Sequence, residues 1–336
     1  LIVFALLLLI RVPFYFTHHV QEDAYISLRC AENLAETGVY GFNPGEKVSS
    51  STSHLYVFLA SLVRLVAGRS AFLPAMLVLN TLLFLAGTFF IARVLLEDEK
   101  QQLFLWVLIS LLPVSLLISY SGMETALLVF LVGSALYLVH RSKNRPLLWL
   151  ILALLPWVRP DAVAYALLIV FWSSLRERRL DWGGAGAVLG GICTLLLFNQ
   201  VYFGSLLHQS INAKLLMRHS FSLRGLLQNV SIVFVGQADG GIFSPVRTKY
   251  VSGFGAVFLI VILAAIVYSL WNHRSDRKQL IIGMAVASMV LLIPLAYAFG
   301  GVLYQWYFWP SSMLGYALLL AVILKRTSST QLLSTT

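Results

Sequence analysis

Long apolar runs follow one another along the whole chain, near residues 1–16, 55–68, 72–95, 103–120, 122–140, 146–157, 162–175, 184–203, 251–271, 280–298 and 302–324. In hydrocarbon an isolated strand leaves its backbone N–H and C=O groups without partners, so every run is predicted to be helical. A soluble core of 336 residues has no use for so much apolar surface: 59% of residues are hydrophobic and only 11% charged, with a mean hydropathy of +0.84. The expectation is an all-α integral membrane protein whose main partner is the lipid bilayer.

The formal charge of +10 would suit a nucleic-acid binder if its cations formed one patch. They stand instead in short clusters between apolar runs, as topology signals do, so no nucleic acid is expected. The links 141–145, 176–179, 273–278 and the end at Lys325-Arg326 are predicted to be cytoplasmic by the positive-inside rule. Ser121 to Thr125, Val158 to Asp161, the outer loop 204–250 and the turn 299–310 then share the other face, with the outer loop 18–53. For this count to close, 55–68 and 72–95 must cross only once between them. The 55–68 run, about 21 Å long at ~1.5 Å per residue, is short for a ~30 Å core and is predicted to be partial or re-entrant. The total is about ten or eleven transmembrane helices in one polytopic domain, 1–336. No internal repeat marks an inverted-repeat transporter. The apolar start at Leu1 reads as a span that lacks a few residues. Cys30 and Cys193 support neither a disulfide framework nor a thiolate metal cluster.

Two hydrophilic segments hold most of the chemistry. The first, 18–53, carries Glu22, Asp23, Glu32, Glu36 and Glu46 against Arg29 and Lys47, so it is net acidic. Ala24, Leu28, Ala31 and Ala35 recur at helical spacing and Gly38 is placed to end the helix, which predicts a juxtamembrane helix over 24–37. Asp23 at its start is either an N-cap or a reactive carboxylate. The second segment, 204–250, carries Lys214, Arg218, Arg224, Arg247 and Lys249, with Asp239 as its one acid, and His208 and His219. Cations on the outer face run against the topology bias, and they suit either a phosphate-bearing lipid substrate or anionic headgroups.

Three shorter motifs belong to the same face. Glu124 in Ser121-Gly122-Met123-Glu124-Thr125 stands at the start of a span, where the helix dipole favours an anion. In Arg159-Pro160-Asp161, Pro160 suits a first helical position, and Arg159 can pair with Asp161, a lipid phosphate or a substrate. The turn Tyr304-Gln305-Trp306-Tyr307-Phe308-Trp309-Pro310 is either an interfacial belt or a wall on which a sugar or isoprenoid stacks.

Together these residues resemble a family. Glu22 to Arg29, Ala31-Glu32-Asn33-Leu34-Ala35 and Gly41 to Glu46 look like the first outer loop of polytopic GT-C glycosyltransferases, closest to the mycobacterial-type terminal arabinofuranosyltransferases and their bacterial relatives. Ser51-Thr52-Ser53, Ser121 to Thr125, Arg159-Pro160-Asp161 and Tyr202 to Leu207 with Ala213-Lys214 are similar to further motifs of that group, in the same order. The resemblance implies a GT-C-type helical bundle in a bacterial inner or plasma membrane, with its active site on the extracytoplasmic face. It implies transfer of a sugar from a polyprenyl-phosphate donor to a glycan, lipid or protein acceptor, with inversion and with a first-loop carboxylate as general base. That base is Asp23 or Glu22, and Asp23 is favoured because its shorter side chain is fixed at the helix start. Lys214 and Arg159, then His208 and Arg247, are the implied donor-phosphate groups. Substrate contacts are expected from Glu124, His54, Asp161, Asn212, Tyr304, Trp306 and Tyr307. The one cofactor in question is a divalent cation, Mg or Mn, which Asp23 and Glu22 are the pair to hold beside the donor phosphate. The chain departs from the family where His54 and His208 replace a common Pro, where Asp161 replaces Glu, and where it stops without the outer C-terminal domain of the arabinofuranosyl relatives. Arabinose is therefore not inferred. The competing class is a lipid or glycan transporter or flippase.

Overall fold

The structure is a computed structural model and describes residues 2–16, 20–141, 144–207, 248–300 and 305–334. Among them every regular element is helical. In chain order these are α1 (Ile2–Leu9), α2 (Val12–Tyr15), α3 (Glu22–Thr37), α4 (His54–Leu95), α5 (Glu99–Leu111), α6 (Pro113–Tyr120), α7 (Thr125–Arg141), α8 (Arg145–Val158), α9 (Val163–Glu177), α10 (Trp182–Phe203), α11 (Thr248–Asn272), α12 (Arg277–Gly300) and α13 (Trp309–Ser334). Single 3₁₀ turns at Pro160–Ala162 and Gln305–Tyr307 lead into α9 and α13.

Three of these helices are long and apolar enough to cross a membrane: α4, α10 and residues Arg277–Tyr297 of α12. The pair α5 and α6 makes a fourth if its two halves are one span, although they meet at a 70° bend. Proline explains the bend. Pro113 has no N–H and forces Leu112 into an extended conformation (φ −59°, ψ 143°), so the expected single helix over 103–120 is broken. The α1–α2, α7, α8 and 259–272 segments are apolar but shorter. At ~1.5 Å per residue a helix of about 17 residues covers about 25 Å, less than the ~30 Å hydrocarbon layer.

The division expected between 55–68 and 72–95 falls inside α4. Gly68, at φ 75° and ψ 176°, interrupts the helix there. Such a conformation is open to glycine and costly for other residues. The segment before the break packs on α3, and Arg64 pairs with Glu36 across that contact.

A buried arginine ties the broken helix in place. Arg11, fully enclosed between α1 and α2, donates through Nη2 to Ser110 O (2.6 Å), through Nη1 to Leu7 O (2.8 Å) and through Nε to Ser119 Oγ (3.2 Å). Ser110 O is one of the carbonyls that the break at Pro113 leaves without a helical partner. Arg11 replaces the missing backbone donor.

The most extensive helix contact is between α4 and α7. It depends on two glycines: a Cβ on Gly133 would stand 2.4 Å from Gly87 O, and one on Gly87 would stand 2.7 Å from Phe130 Cα. Small residues at such a crossing let backbones approach and gain dispersion contacts that lipid does not supply. Gly133→Val is expected to cost about 1–3 kcal/mol by overpacking, read as a lower denaturation midpoint of the detergent-solubilised protein; an unchanged midpoint would rule out the close crossing.

Candidate functional site

The first acid pair sits in the opening turn of α3. The helix begins at Glu22, two residues before the predicted start, and its N-cap is Gln21, in extended conformation. Asp23 is therefore not the N-cap. Both acids lie in the first turn, where the helix dipole stabilises negative charge. Consecutive helical residues point about 100° apart, and the two part company here: Glu22 is exposed, while Asp23 is half-buried and lines a cleft with Ile26 and Ser27, one turn further on. Gly38, left-handed at φ 70°, ends the helix as its sequence position suggests.

The cleft has a volume of about 100 Å³ and is walled by Asp23, Ile26, Ser27, Ser50, Ser51, Thr52, Ser53, Met123, Glu124, Trp306 and Tyr307. After α3 the chain folds back on itself: Asn33 Nδ2 donates to Gly41 O (2.9 Å) and Phe42 O (2.8 Å). This return brings residues 50–53 beside the helix, where Ser27 Oγ and Ser51 Oγ are 2.8 Å apart. The opposite wall is held just as firmly. Gln21 N–H donates to Ser121 O (2.8 Å), Tyr56 O–H to Gly122 O (2.6 Å), and Asn80 Nδ2 to Met123 O (3.2 Å) and Tyr56 Oη (3.0 Å). Gly122 is left-handed at φ 74°, which delays the start of α7 to Thr125 and leaves Glu124 just ahead of its first turn, facing the cleft.

Asn80→Leu keeps the volume and removes both donors from a fully buried site. It is expected to lower stability by about 1–3 kcal/mol, the cost of stranding buried acceptors. Thermal denaturation checks this, and a wild-type midpoint would show that the Glu124 loop does not depend on Asn80.

Behind Glu124 and Tyr307 lies Arg159, 1% exposed. It grips Asp161 with two parallel bonds, Nε to Oδ1 (3.1 Å) and Nη2 to Oδ2 (2.9 Å). Its Cζ stands 4.2 Å from the centre of the Tyr307 ring. Tyr297 O–H donates to the same Asp161 carboxylate. Nη1 lies 3.7 Å from Glu124 Oε1 and makes no hydrogen bond among the described residues. Burial opposes the guanidinium charge, but the carboxylates of Asp161 and Glu124 outweigh it and hold the pKa well above the usual arginine value. Arg159 stays a fixed cation.

No family model, curated protein or solved structure matches the chain.

Of the residues singled out in the sequence, Asp23, Glu124, Trp306 and Tyr307 meet around one cleft, with Arg159 and Asp161 paired directly behind it. Glu22 faces away. His54 is also elsewhere: it is fully buried among Phe198, Phe203 and Trp157. Its Nε2 donates to Asn199 Oδ1 (2.7 Å), which leaves Nδ1 to accept from Tyr40 O–H (2.7 Å). Both ring nitrogens are committed to packing the chain, so His54, expected as a substrate contact, instead links α4 to α10 and lies outside the cleft lining. Lys214, His208, Arg247, Asn212 and Tyr304 lie outside the described residues.

Ser27, Tyr56, Asn80 and Tyr297 shape the site without standing out in the sequence. Ser27 carried a usable signal, being four residues after Asp23 on a predicted helix. The other three are polar groups inside apolar runs, and only their distant partners give them meaning.

The oxygen-rich cleft does not suit a divalent cation held by Asp23 and Glu22, because Glu22 is exposed outside the lining. Among the described residues no three His, Cys, Asp or Glu side chains gather as a metal site. Chemically the cleft offers two carboxylates, the half-buried Asp23 and the more deeply buried Glu124, a row of hydroxyls and an aromatic edge, with a buried permanent cation behind it.

Proposed function

We propose that this chain is a polytopic membrane glycosyltransferase of GT-C type, with about ten or eleven spans and its reaction cleft at the extracytoplasmic face. In this reading it moves a sugar from a polyprenyl-phosphate donor to a hydroxyl of a glycan, lipid or protein acceptor. One observation carries it: Asp23 stands across a hydroxyl-lined cleft from Glu124, Trp306 and Tyr307, backed by the buried Arg159.

The chemistry follows from these positions. Asp23 takes the proton of the acceptor hydroxyl while that oxygen attacks the anomeric carbon. The bond from that carbon to the phosphate oxygen breaks, polyprenyl phosphate leaves with the electron pair, and a single displacement inverts the anomeric centre. Serine and threonine hydroxyls of residues 50–53 bond the sugar, and Trp306 and Tyr307 provide faces for its apolar side. Arg159 stabilises charge developing on the leaving phosphate through Nη1, which faces Glu124 at 3.7 Å and makes no hydrogen bond among the described residues, in a setting already fixed before the reaction. Lys214, His208 and Arg247 complete this role in the basic outer loop.

A transporter would use a broken helix and an ionisable group at membrane depth. The chain has both, at the α5–α6 bend and Arg11, but Arg11 spends Nε, Nη1 and Nη2 on the break itself. This favours a structural task for it over a pathway.

The direct test is a proteoliposome assay with labelled polyprenyl-phosphate sugars. The expected result is free polyprenyl phosphate together with a glycoside of inverted configuration. Movement of the intact donor across the bilayer with no glycosidic product would sink the proposal in favour of the flippase.

A further inference from the structure

A second cleft, of about 640 Å³, opens at the other end of the bundle, where the ends of α7 and α9 meet the start of α12. Its lining is strongly cationic, with Arg141, Arg176, Arg178, Arg277 and Lys278. Three acids also reach it, and each is already engaged. Glu177 pairs with Arg145 (2.5 Å), Glu97 accepts from Gln279 Nε2 (2.9 Å), and Asp276 caps α12 by accepting the N–H groups of Lys278 (2.9 Å) and Gln279 (3.3 Å). Among the described residues, none of Arg141, Arg178, Arg277 and Lys278 is in an ion pair.

Two of the arginines are aimed by the backbone. Arg176 Nη1 donates to Val139 O (2.6 Å) at the end of α7, and Arg277 Nη2 donates to Leu175 O (2.9 Å) at the end of α9. Each bond fixes one N–H and leaves the rest of the guanidinium for a ligand.

Helix stability would choose differently at two positions. Arg277 and Lys278 open α12, where the helix dipole disfavours cations. Arg178 closes α9 in the left-handed region, at φ 56°, where glycine is the ordinary choice. Departures from local preference tend to gather where a site needs a particular side chain.

We infer that this cleft binds a phosphate-bearing polyanion, of the kind presented by anionic phospholipid headgroups. Depth supports that source. The two clefts lie at opposite ends of the same two helices: Glu124, in the first cleft, just precedes α7 (Thr125–Arg141), and Arg159 and Asp161, behind it, just precede α9 (Val163–Glu177). Helices of 17 and 15 residues are about 25 and 23 Å long, so with the loops at their ends the two clefts stand about one hydrocarbon layer, ~30 Å, apart. With the reaction cleft at the outer surface, the basic cleft lies at the headgroups of the inner leaflet, where basic pockets between helices hold such lipids. The inference rests on the proposed orientation and not on sugar transfer.

The test uses the full chain in nanodiscs of phosphatidylcholine with and without cardiolipin, the retained lipid being read by native mass spectrometry. Wild type is expected to retain cardiolipin. The double variant Arg178→Gly, Lys278→Gln is expected to bind it about tenfold or more weakly, having lost two headgroup-level cations. Both side chains are exposed and glycine suits the left-handed position, so the variant keeps its fold; an unchanged midpoint in phosphatidylcholine verifies this. A parallel titration with tripolyphosphate in neutral detergent separates the sources. Binding of tripolyphosphate, lost in the variant, without cardiolipin retention supports the same site with a soluble phosphate ligand. Equal retention by variant and wild type, or no preference for either anion over phosphatidylcholine, overturns the inference. Turnover is not read, so a failure of the transferase proposal would not be mistaken for a failure here.

Discussion

Asp23→Asn is expected to reduce sugar transfer about 10²–10⁴-fold, the span that loss of a positioned general base gives, equal to about 3–5 kcal/mol of barrier at 1.36 kcal/mol per decade. Asparagine keeps the size and polarity of the side chain but takes no proton. Because Asp23 is neither the N-cap nor, among the described residues, part of an ion pair, the exchange leaves the fold and donor affinity intact. The loss should therefore fall on turnover and spare the donor's dissociation constant. Glu22→Gln is the matched control: one residue earlier on the helix and exposed, it should change turnover less than about threefold, well under the ~10²-fold minimum for a general base. A large loss for Glu22→Gln with a small one for Asp23→Asn would exchange their roles. Comparable small effects for both would remove the first-loop acids from the chemistry.

The ordering of these two acids shows what the sequence carries and what it withholds. Periodicity from Ala24 to Ala35 and a glycine at 38 are enough to place a helix, since its pattern and its terminator are local. Which acid faces the cleft is not local, for it depends on Ser121, a hundred residues away, pinning Gln21. The same distinction holds elsewhere. A division near Gly68 was legible because two arginines and a short apolar length flanked it. The bend at Pro113 had its cause in plain view, yet the run around it was apolar enough to read as one helix. His54 differs: its expected substrate contact comes from its place in the resembled motif, where Pro is common, while its partners Asn199 and Tyr40 become visible only after folding. Tyr297 gave no signal at all, being one hydroxyl in an apolar run until Asp161 is brought beside it.

Arg159 is where fold and chemistry depend most on one side chain, and two substitutions separate the dependences. Arg159→Ala leaves the carboxylates of Asp161 and Glu124 without their cation in a buried setting, where breaking one side of an ion pair costs about 3–5 kcal/mol. It should lower the denaturation midpoint sharply, or prevent folding. Arg159→Lys keeps the charge, but a single ammonium does not reproduce the two parallel bonds to Asp161 or lie flat on Tyr307. Its cost should be smaller, about 1–3 kcal/mol for one charge-assisted hydrogen bond and its packing, so the protein folds. If Arg159 stabilises the leaving phosphate, the folded lysine variant still loses about 10²-fold or more in turnover, as removal of one preorganised donor does. Asp161→Asn provides the contrast. It loosens the same guanidinium and lowers stability without removing Nη1, so turnover per folded molecule should fall less than with lysine at 159. Equal turnover per folded molecule in all three proteins would make the Arg159–Asp161 pair a brace for the cleft wall and would assign the phosphate to the basic outer loop alone.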